Sequence, residues 1–186
     1  NLPEAETAFK QLINIAPQEA LGFANLGLVY IRMGDYTEAE LRLKQALDIE
    51  PNDPEIQLNL AEVYFLTNRK KEAIQLLEKT LNHHPDHIRT LFKLGQNYAR
   101  SDSLAVRLKG EKLLIKVVNF LPANITARLE LIDLLLRNNK AHQADGYFED
   151  LKKQVPAFPA EANEYYDKSL GYMYQGQTEE AHPFFN

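Results

Sequence analysis

Histidines cluster in one short segment of the sequence, His83-His84-Pro85-Asp86-His87, and imidazole nitrogens are common metal ligands. The segment is centred on a proline, which cannot continue a helix, so the three rings fall around a turn. It does not offer two histidines on one face of a rigid helix, as helical metal motifs do. We therefore expect solvated side chains that compensate the charge at a helix C-terminus, and no bound metal.

The other reactive residue types form no recognisable catalytic arrangement. Glu and Asp side chains are spread along the chain with no pair set apart as acid and base, and no serine lies in a GxSxG turn. Gly27 does not belong to a GxxxxGK[ST] phosphate loop, and the lack of cysteine excludes thiolate metal ligands. These observations predict a protein that is not an enzyme and that needs no cofactor.

Charge and hydropathy argue against two further classes of function. The 186 residues carry a formal net charge of −5, whereas nucleic-acid binding usually needs a basic face. The most apolar stretch, 129–136, is interrupted by Glu130 and Asp133, and no segment approaches the roughly 18 apolar residues of a membrane-spanning helix. We expect neither nucleic-acid binding nor insertion into a membrane.

Prolines recur with a regular period. Pro17, Pro51 and Pro85 are 34 residues apart, Pro122 follows after 37 residues, and Pro156 follows after a further 34. Because proline ends helices, each one marks a boundary between units of nearly equal length. The prediction is a single array over 1–186. It has a partial unit at 1–19 (one helix, the second of a pair), full units at 20–53, 54–87, 88–124 and 125–158, and a degenerate partial unit at 159–186.

The units share residue types at matching offsets. In unit 20–53 the shared positions are Leu26, Gly27, Tyr30, Gly34, Ala39, Leu43, Ala46 and Pro51. Units 54–87, 88–124 and 125–158 repeat most of this pattern. Apolar residues three and four apart indicate helices rather than strands, and the small residues allow paired helices to approach closely. The pattern resembles the tetratricopeptide repeat (TPR), a helix-turn-helix unit of 34 residues.

This resemblance implies an all-α fold, a right-handed α-α superhelix (a TPR solenoid) of about four full repeats plus partial repeats at both ends. The chain departs from the family at Thr80 and Val117, where the family prefers a small residue. It departs again at the position that favours tryptophan, which is held by Phe23, Gln57, Leu91 and Arg128. We expect these departures to weaken packing locally without changing the fold.

Local signals predict details of the helices. Asp35, after the Gly34 turn, is expected to cap the second helix of its unit. The three extra residues of unit 88–124 lie within 100–109, and a cap at Ser103 would lengthen the next helix by about one turn of 3.6 residues. An added proline, Pro159, predicts a tilted final helix pair. Neither end of the array, including the terminal Phe184-Phe185, has an obvious polar cap, so more chain or a second copy is expected to cover the ends.

In TPR proteins the first helix of each unit lines the concave face, so the resemblance implies which side chains face a partner. The predicted partner-binding groove consists of Asn25, Leu28, Arg32, Asn59, Glu62, Phe65, Arg89, Phe92, Lys93, Gln96, Arg100 and Asp133. Apolar anchors supply buried area, and amides can hydrogen bond a peptide backbone. Arg89, Lys93 and Arg100 form a positive cluster suited to an acidic side chain or a terminal carboxylate. The alternative is an ordinary solvated helix surface.

Two functions are consistent with this pattern. The first is a non-catalytic scaffold that binds a peptide or protein segment in the concave groove. The second is a structural or assembly module that packs on other domains of a longer chain, or forms homo-oligomers through uncapped ends. The stretch from Leu121 through 158–162 to Tyr166 resembles bacterial exported proteins in which such an array precedes another domain. Cytoplasmic and periplasmic or secreted locations both stay open, since the sequence contains no signal region.

Overall fold

The computed structural model describes residues 1–154 and 160–174, and the regular structure in these ranges is entirely helical. The helices are α1 (Leu2–Ile15), α2 (Ala20–Met33), α3 (Tyr36–Ile49), α4 (Pro54–Leu66), α5 (Lys70–His83), α6 (Ile88–Ala99), α7 (Leu104–Phe120), α8 (Ile125–Arg137), α9 (Ala141–Gln154) and α10 (Ala160–Tyr174). Two helices lie in each of the segments 20–53, 54–87, 88–124 and 125–158. The predicted all-α repeat fold is therefore confirmed.

The chain forms two compact units, Asn1–Thr90 and Leu91–Asn186, and the division falls within α6. In the first unit α1 packs on α2, α2 on α3, α3 on α4 and α4 on α5, and α2 also contacts α4. In the second unit α7 packs on α8, α8 on α9 and α9 on α10. Packing of each helix on its sequence neighbours is typical of helical repeat proteins, in which each repeat buries the apolar face of the next.

Leucines at one repeated position form the centre of the helix pairs. Leu43, Leu77 and Leu114, in α3, α5 and α7, are completely buried. A Cβ atom added to Gly27 would lie 2.7 Å from Leu43 Cγ, and one added to Gly95 would lie 3.1 Å from Leu114 Cγ. The small residue of the first helix thus makes room for the leucine of the second, which is the packing role expected from the sequence.

Three of the turns between paired helices use the left-handed backbone conformation. The φ angles are 80° at Gly34, 60° at Asn68 and 59° at Asn139, and the three residues occupy the same offset in their units. Glycine adopts this conformation without strain, and asparagine tolerates it better than most other residues. Asp35 follows the first of these turns, and its carboxylate accepts a hydrogen bond of 3.1 Å from the Glu38 N–H, which caps α3 as predicted.

Two departures from the family pattern contact each other. Thr80 and Gln57 are both fully buried, and the Thr80 hydroxyl donates to Gln57 Oε1 at 2.8 Å. The Gln57 amide in turn donates to the carbonyl oxygen of Pro51 at 2.7 Å. Arg128, at the same offset as Gln57, donates to the carbonyl oxygen of Pro122 at 2.8 Å. Thr80 and Gln57 thus satisfy each other, and Gln57 and Arg128 each satisfy the carbonyl oxygen of a proline.

The extra residues of the third full helix pair lengthen its second helix. Helix α7 has 17 residues, whereas α3, α5 and α9 have 14. The Ser103 side chain makes no capping hydrogen bond, contrary to the sequence-based expectation. Instead the Arg107 guanidinium donates to the carbonyl oxygens of Ser101 and Asp102 at 3.1 and 2.9 Å. The predicted lengthening is present, but an arginine within the helix binds the preceding turn.

An acidic residue of a second helix pairs with a basic residue of the following turn at two equivalent places. Glu40 Oε2 lies 2.7 Å from Arg69 Nη1, and Glu111 Oε1 lies 2.6 Å from Lys140 Nζ. The partners are 29 residues apart in both pairs. Glu111 is buried and its other oxygen accepts from Asn138 Nδ2 at 3.0 Å. These contacts join successive helix pairs at one place in each unit.

The last described helix packs through an aromatic contact. The Tyr166 ring stacks on the Phe148 ring with centroids 3.5 Å apart and an interplanar angle of 15°, and Tyr166 is buried, whereas Tyr165 is exposed. Tyr166 is therefore part of the core between α9 and α10. The expectations about the Pro159 segment, the final helix pair and Phe184-Phe185 lie outside the described residues.

Candidate functional site

In the first unit the candidate site is a face shared by α2 and α4, which contact each other directly. This α2–α4 face consists of Leu21, Asn25, Leu28, Arg32, Asn59, Glu62, Phe65 and Leu66. All eight residues are exposed or half-buried. The intervening residues Leu26, Val29, Leu60 and Val63 are buried and hold the two helices in place. The groove positions expected on α2 and α4 are thus accessible to solvent on two helices that contact each other.

Two leucines of the α2–α4 face are exposed to solvent. Leu21 at the start of α2 is 63% exposed, and Leu66 at the end of α4 is 47% exposed. Leu28 and Phe65 are half-buried between other residues of the same helices. Apolar side chains grouped on a surface rimmed by polar ones are typical of sites that bind another protein.

Two asparagines occupy equivalent offsets on this face and differ in their hydrogen bonds. The Asn25 side-chain N–H donates to the carbonyl oxygen of Leu21 at 3.0 Å, within the same helix. The Asn59 side chain makes no hydrogen bond to any residue of the described ranges. A primary amide can donate to and accept from a peptide backbone at the same time, so Asn59 has both capacities available for a ligand.

The charge of Arg89 is compensated within the first unit. Its guanidinium forms an ion pair with the Glu55 carboxylate, 34 residues earlier. The other Glu55 oxygen lies 3.0 Å from His87 Nε2, and His87 Nδ1 lies 2.8 Å from Thr90 Oγ1. Glu55 therefore binds both side chains at the beginning of α6, and Arg89 is less available to an acidic ligand than the sequence suggested.

In the second unit the predicted groove residues lie on α6 and α8. They are Phe92, Lys93, Gln96, Arg100 and Asp133, and all are exposed or half-buried. Gln96 Nε2 donates to Glu130 Oε1 at 2.8 Å, and Arg100 Nη2 lies 3.7 Å from the same oxygen.

Further polar contacts hold the neighbouring residues of these helices. Asp133 pairs with Arg137 at 2.7 Å, and Arg137 also donates to the carbonyl oxygen of Ala99 at 2.8 Å. Several of the polar side chains predicted to bind a ligand in this unit thus take part in contacts between α6 and α8.

The acidic partners of the predicted cations are the functional feature that sequence reasoning missed. Glu55 and Arg89 occupy the same offset in successive units. Side chains at equivalent offsets of stacked repeats are close in space, since each repeat lies against the next. Comparison of charges across units, rather than along one unit, would have indicated this pair.

The histidines of the 83–87 segment bind backbone and side-chain groups around the turn. His83 Nδ1 lies 3.0 Å from the Lys79 carbonyl oxygen, and His84 Nε2 lies 2.7 Å from the Asn52 carbonyl oxygen. Among the residues placed by the structure, no group of three or more His, Asp or Glu side chains is arranged to hold a metal ion. The same residues include no helix long and apolar enough to cross a membrane.

Shifted pKa values occur at carboxylates that pair with basic side chains. The hydrogen bond from Arg69 lowers the pKa of the Glu72 carboxyl below its ordinary value. Burial raises the pKa of Glu40, but hydrogen bonds from Lys44 and Arg69 act in the opposite direction and leave it lowered. These carboxylates are stabilised in their charged form by basic neighbours, which is a structural arrangement rather than the poised acid–base pair of an active site.

Comparison with known proteins agrees with this geometry. Residues 30–94 match the tetratricopeptide repeat family, and no curated protein matches the sequence. A structure of MamA (MSR-1) is 25% identical, with coverage of 89% of this chain and 92% of that one and a TM-score of 0.66. For YrrB, a TPR protein with an unusual peptide-binding site, the identity is 20%, the coverage 97% and 90%, and the TM-score 0.71. A tetratricopeptide repeat protein from Parabacteroides merdae ATCC 43184 is 21% identical, with coverage of 98% and 70% and a TM-score of 0.70.

Proposed function

Because residues 30–94 belong to the tetratricopeptide repeat family and the chain has the fold of TPR solenoids, we propose that this protein is a non-catalytic scaffold that binds a segment of another protein. The proposal is supported by the α2–α4 face, where Leu21 and Leu66 are exposed and the Asn59 amide has no hydrogen-bond partner among the described residues. YrrB, which shares the fold, has a peptide-binding site by its own description.

The chemistry of the α2–α4 face suits a peptide with apolar side chains. Leu21 and Leu66 offer exposed apolar area at the two ends of the face, and Phe65 offers a half-buried aromatic ring. Asn59 can fix the peptide backbone by donating to a carbonyl and accepting from an N–H. Anchors of this kind supply most of the binding free energy, while amide contacts set the register of the peptide.

Selection from a random peptide library on the immobilised protein, followed by fluorescence anisotropy with the enriched peptides, tests the proposal. Truncation of an aromatic anchor typically costs about 2 kcal/mol or more, so Phe65→Ala is expected to weaken binding about 30-fold. Asn59→Asp keeps the shape but removes the donor, and a loss of about tenfold is expected. Gln75→Ala, at an exposed position of α5, is the matched control and should bind like the wild type.

Several results would contradict the proposal. Peptides that bind Phe65→Ala and Asn59→Asp as tightly as the wild type would place the ligand elsewhere. An equal loss in Gln75→Ala would indicate general destabilisation, which circular dichroism of each variant would reveal. A selection that enriches no peptide would remove the basis for a peptide ligand at this face.

A second candidate function, self-association, is favoured by one observation on α1. This helix buries none of its residues, and Ile15 is 82% exposed at its end. An exposed apolar side chain at the end of a helix is a contact onto which a second copy can pack. Sedimentation across a range of concentrations should show a larger species for the wild type and a monomer for Ile15→Glu. A monomer at all concentrations would exclude this candidate.

A further inference from the structure

Helix α7 differs in charge from the other second helices of the repeats. Its exposed charged residues are Lys109, Lys112 and Lys116, all of them basic. The acidic residue of α7, Glu111, is buried and bound to Lys140 and Asn138. Helix α7 thus presents positive charge to the solvent in a chain whose formal net charge is −5.

The lysines of α7 share one face with an apolar end. At 3.6 residues per turn, positions 109, 112, 116 and 120 fall within an arc of roughly 80°. Phe120 ends the helix and is 47% exposed, and the next residue, Leu121, is 42% exposed. We call Lys109, Lys112, Lys116, Phe120 and Leu121 the α7 stripe. It is a row of positive charges that ends in two apolar side chains.

The repeats themselves show that the fold does not require this stripe. At the offsets of Lys109, Lys112 and Lys116, helix α3 has Glu38, Leu41 and Gln45, and helix α5 has Glu72, Gln75 and Lys79. At the offsets of Phe120 and Leu121 the sequence has Ile49 and Glu50 in one unit and His83 and His84 in the next. Since the same helix packs without these residues elsewhere, their presence in α7 needs another explanation.

Internal ion pairs do not account for the first two lysines. Lys10 and Lys44 lie 2.6 and 2.7 Å from carboxylates one turn away on their own helices. Lys109 and Lys112 make no ion pair with any residue in the described part of the chain. Their charges are therefore compensated only by solvent and counterions, and they are available to an external acidic group.

We propose that the α7 stripe binds an acidic peptide segment that carries an apolar residue at one end. The carboxylates of the segment would pair with Lys109 and Lys112, and its apolar side chain would pack on Phe120 and Leu121. The helix rises about 16 Å from position 109 to position 120, which corresponds to on the order of five residues of extended chain. Complementary charge along the stripe and an apolar contact at its end together define the direction of the bound segment.

An anionic membrane and a nucleic acid are less consistent with the same residues. Each lysine close to an anionic membrane contributes only about 1 kcal/mol, and a planar surface also meets the acidic remainder of the chain. A nucleic acid needs a broad basic face, which a chain with a net charge of −5 does not provide. A short peptide can lie entirely within about 8 Å of the lysines. Salt screens charges beyond that distance, so the carboxylates elsewhere on the protein repel the peptide only weakly.

This proposal is independent of the peptide site on the α2–α4 face. The α7 stripe belongs to the second helix of a later repeat, and none of its residues lies in the predicted groove. A protein with both surfaces would bind two segments, one chosen mainly by apolar side chains and the other mainly by charge.

Chemical-shift titration of the isotope-labelled full chain tests the proposal. The probe is a hexapeptide of four glutamates followed by two leucines, and the matched probe has glutamine in place of each glutamate. The first probe is expected to shift the amide signals of 109–121 and to bind at least tenfold more tightly than the second. Lys109→Glu/Lys112→Glu should weaken binding at least tenfold, since two attractions become repulsions. Lys70→Glu/Lys71→Glu, at exposed positions of α5, should not change it.

The outcomes separate the proposal from its competitors. Phe120→Ser is expected to weaken binding severalfold with the lysines intact, which tests the apolar contact. Equal binding of the two probes, shifts scattered over the chain, or an equal loss in the α5 variant would overturn the proposal. It would also be overturned if the hexapeptide did not bind while phosphatidylserine vesicles retained the protein through Lys109 and Lys112, because the stripe would then be a membrane contact.

Discussion

Replacing Thr80 by valine removes the hydroxyl that donates to Gln57 Oε1 and keeps almost the same side-chain shape. Both residues are fully buried, so no water replaces the lost donor. The Gln57 amide N–H still donates to the Pro51 carbonyl oxygen at 2.7 Å, which holds the side chain in its present orientation. Thr80→Val therefore leaves the Gln57 carbonyl oxygen buried and without a hydrogen bond.

The size of the effect follows from what each variant leaves unsatisfied. A buried carbonyl without a donor costs about 1–3 kcal/mol, so we expect Thr80→Val to lower the free energy of unfolding by about 2 kcal/mol. Gln57→Leu should cost less, about 1 kcal/mol. The Thr80 hydroxyl still has the Leu76 carbonyl oxygen at 2.8 Å, and the exposed Pro51 can bind water. In the Gln57→Leu background, Thr80→Val should cost nearly nothing, since no unsatisfied oxygen remains.

Urea unfolding of the wild type, both single variants and the double variant, followed by far-UV circular dichroism, measures this coupling. The expected interaction energy is about 2 kcal/mol, and an unchanged m-value would show that the same cooperative unit unfolds in every variant. If Thr80→Val costs the same in both backgrounds within about 0.5 kcal/mol, the hydrogen bond does not hold the pair together and the reasoning is refuted.

Three further predictions concern the repeat framework. Gly110→Ala should lower stability by about 1–3 kcal/mol, since the added Cβ would lie 2.8 Å from the backbone nitrogen of Ala99. Gly146→Ala, whose Cβ meets no atom within 4 Å, should raise it by about 0.5–1 kcal/mol, and thermal unfolding compares the two. Asn68→Ala should cost about 1 kcal/mol in urea unfolding because φ is 60°, whereas Asn68→Gly should be nearly neutral. Glu40→Gln should lower stability at neutral pH. Burial raises the pKa of Glu40 but hydrogen bonds from basic neighbours leave it below 4.5, so the difference from the wild type should disappear as the pH falls below that value.

The positions of the helices were predictable because local chemistry determines them. A proline lies in the first turn of a helix or beyond its end but not in its interior, and a glycine or asparagine permits a left-handed turn. The packing of leucine against glycine was also predictable, since a glycine in the first helix recurs with a leucine in the second helix, as Gly27 with Leu43 and Gly95 with Leu114. Such features depend on a few residues that are close in sequence.

It was harder to predict from the sequence which of the groove residues make hydrogen bonds or ion pairs within the chain. Asn25 and Asn59 occupy equivalent offsets, yet only Asn25 donates to a carbonyl oxygen of its own helix. Arg89 and Arg100 looked available as cations, but carboxylates on neighbouring repeats pair with them. Whether a side chain faces a ligand or an adjacent repeat depends on rotamers and on distances between helices, which no single repeat specifies.

The sequence by itself determined the all-helical repeat fold, because period, proline and small residues act over a few turns of chain. It also showed that Thr80 and Gln57 depart from the family pattern, but each departure was expected to weaken packing on its own. Only the tertiary structure decided that they form one buried pair, since they lie 23 residues apart on different helices. Hydrogen bonds need an alignment within a few tenths of an ångström, and that alignment exists only after the helices have packed.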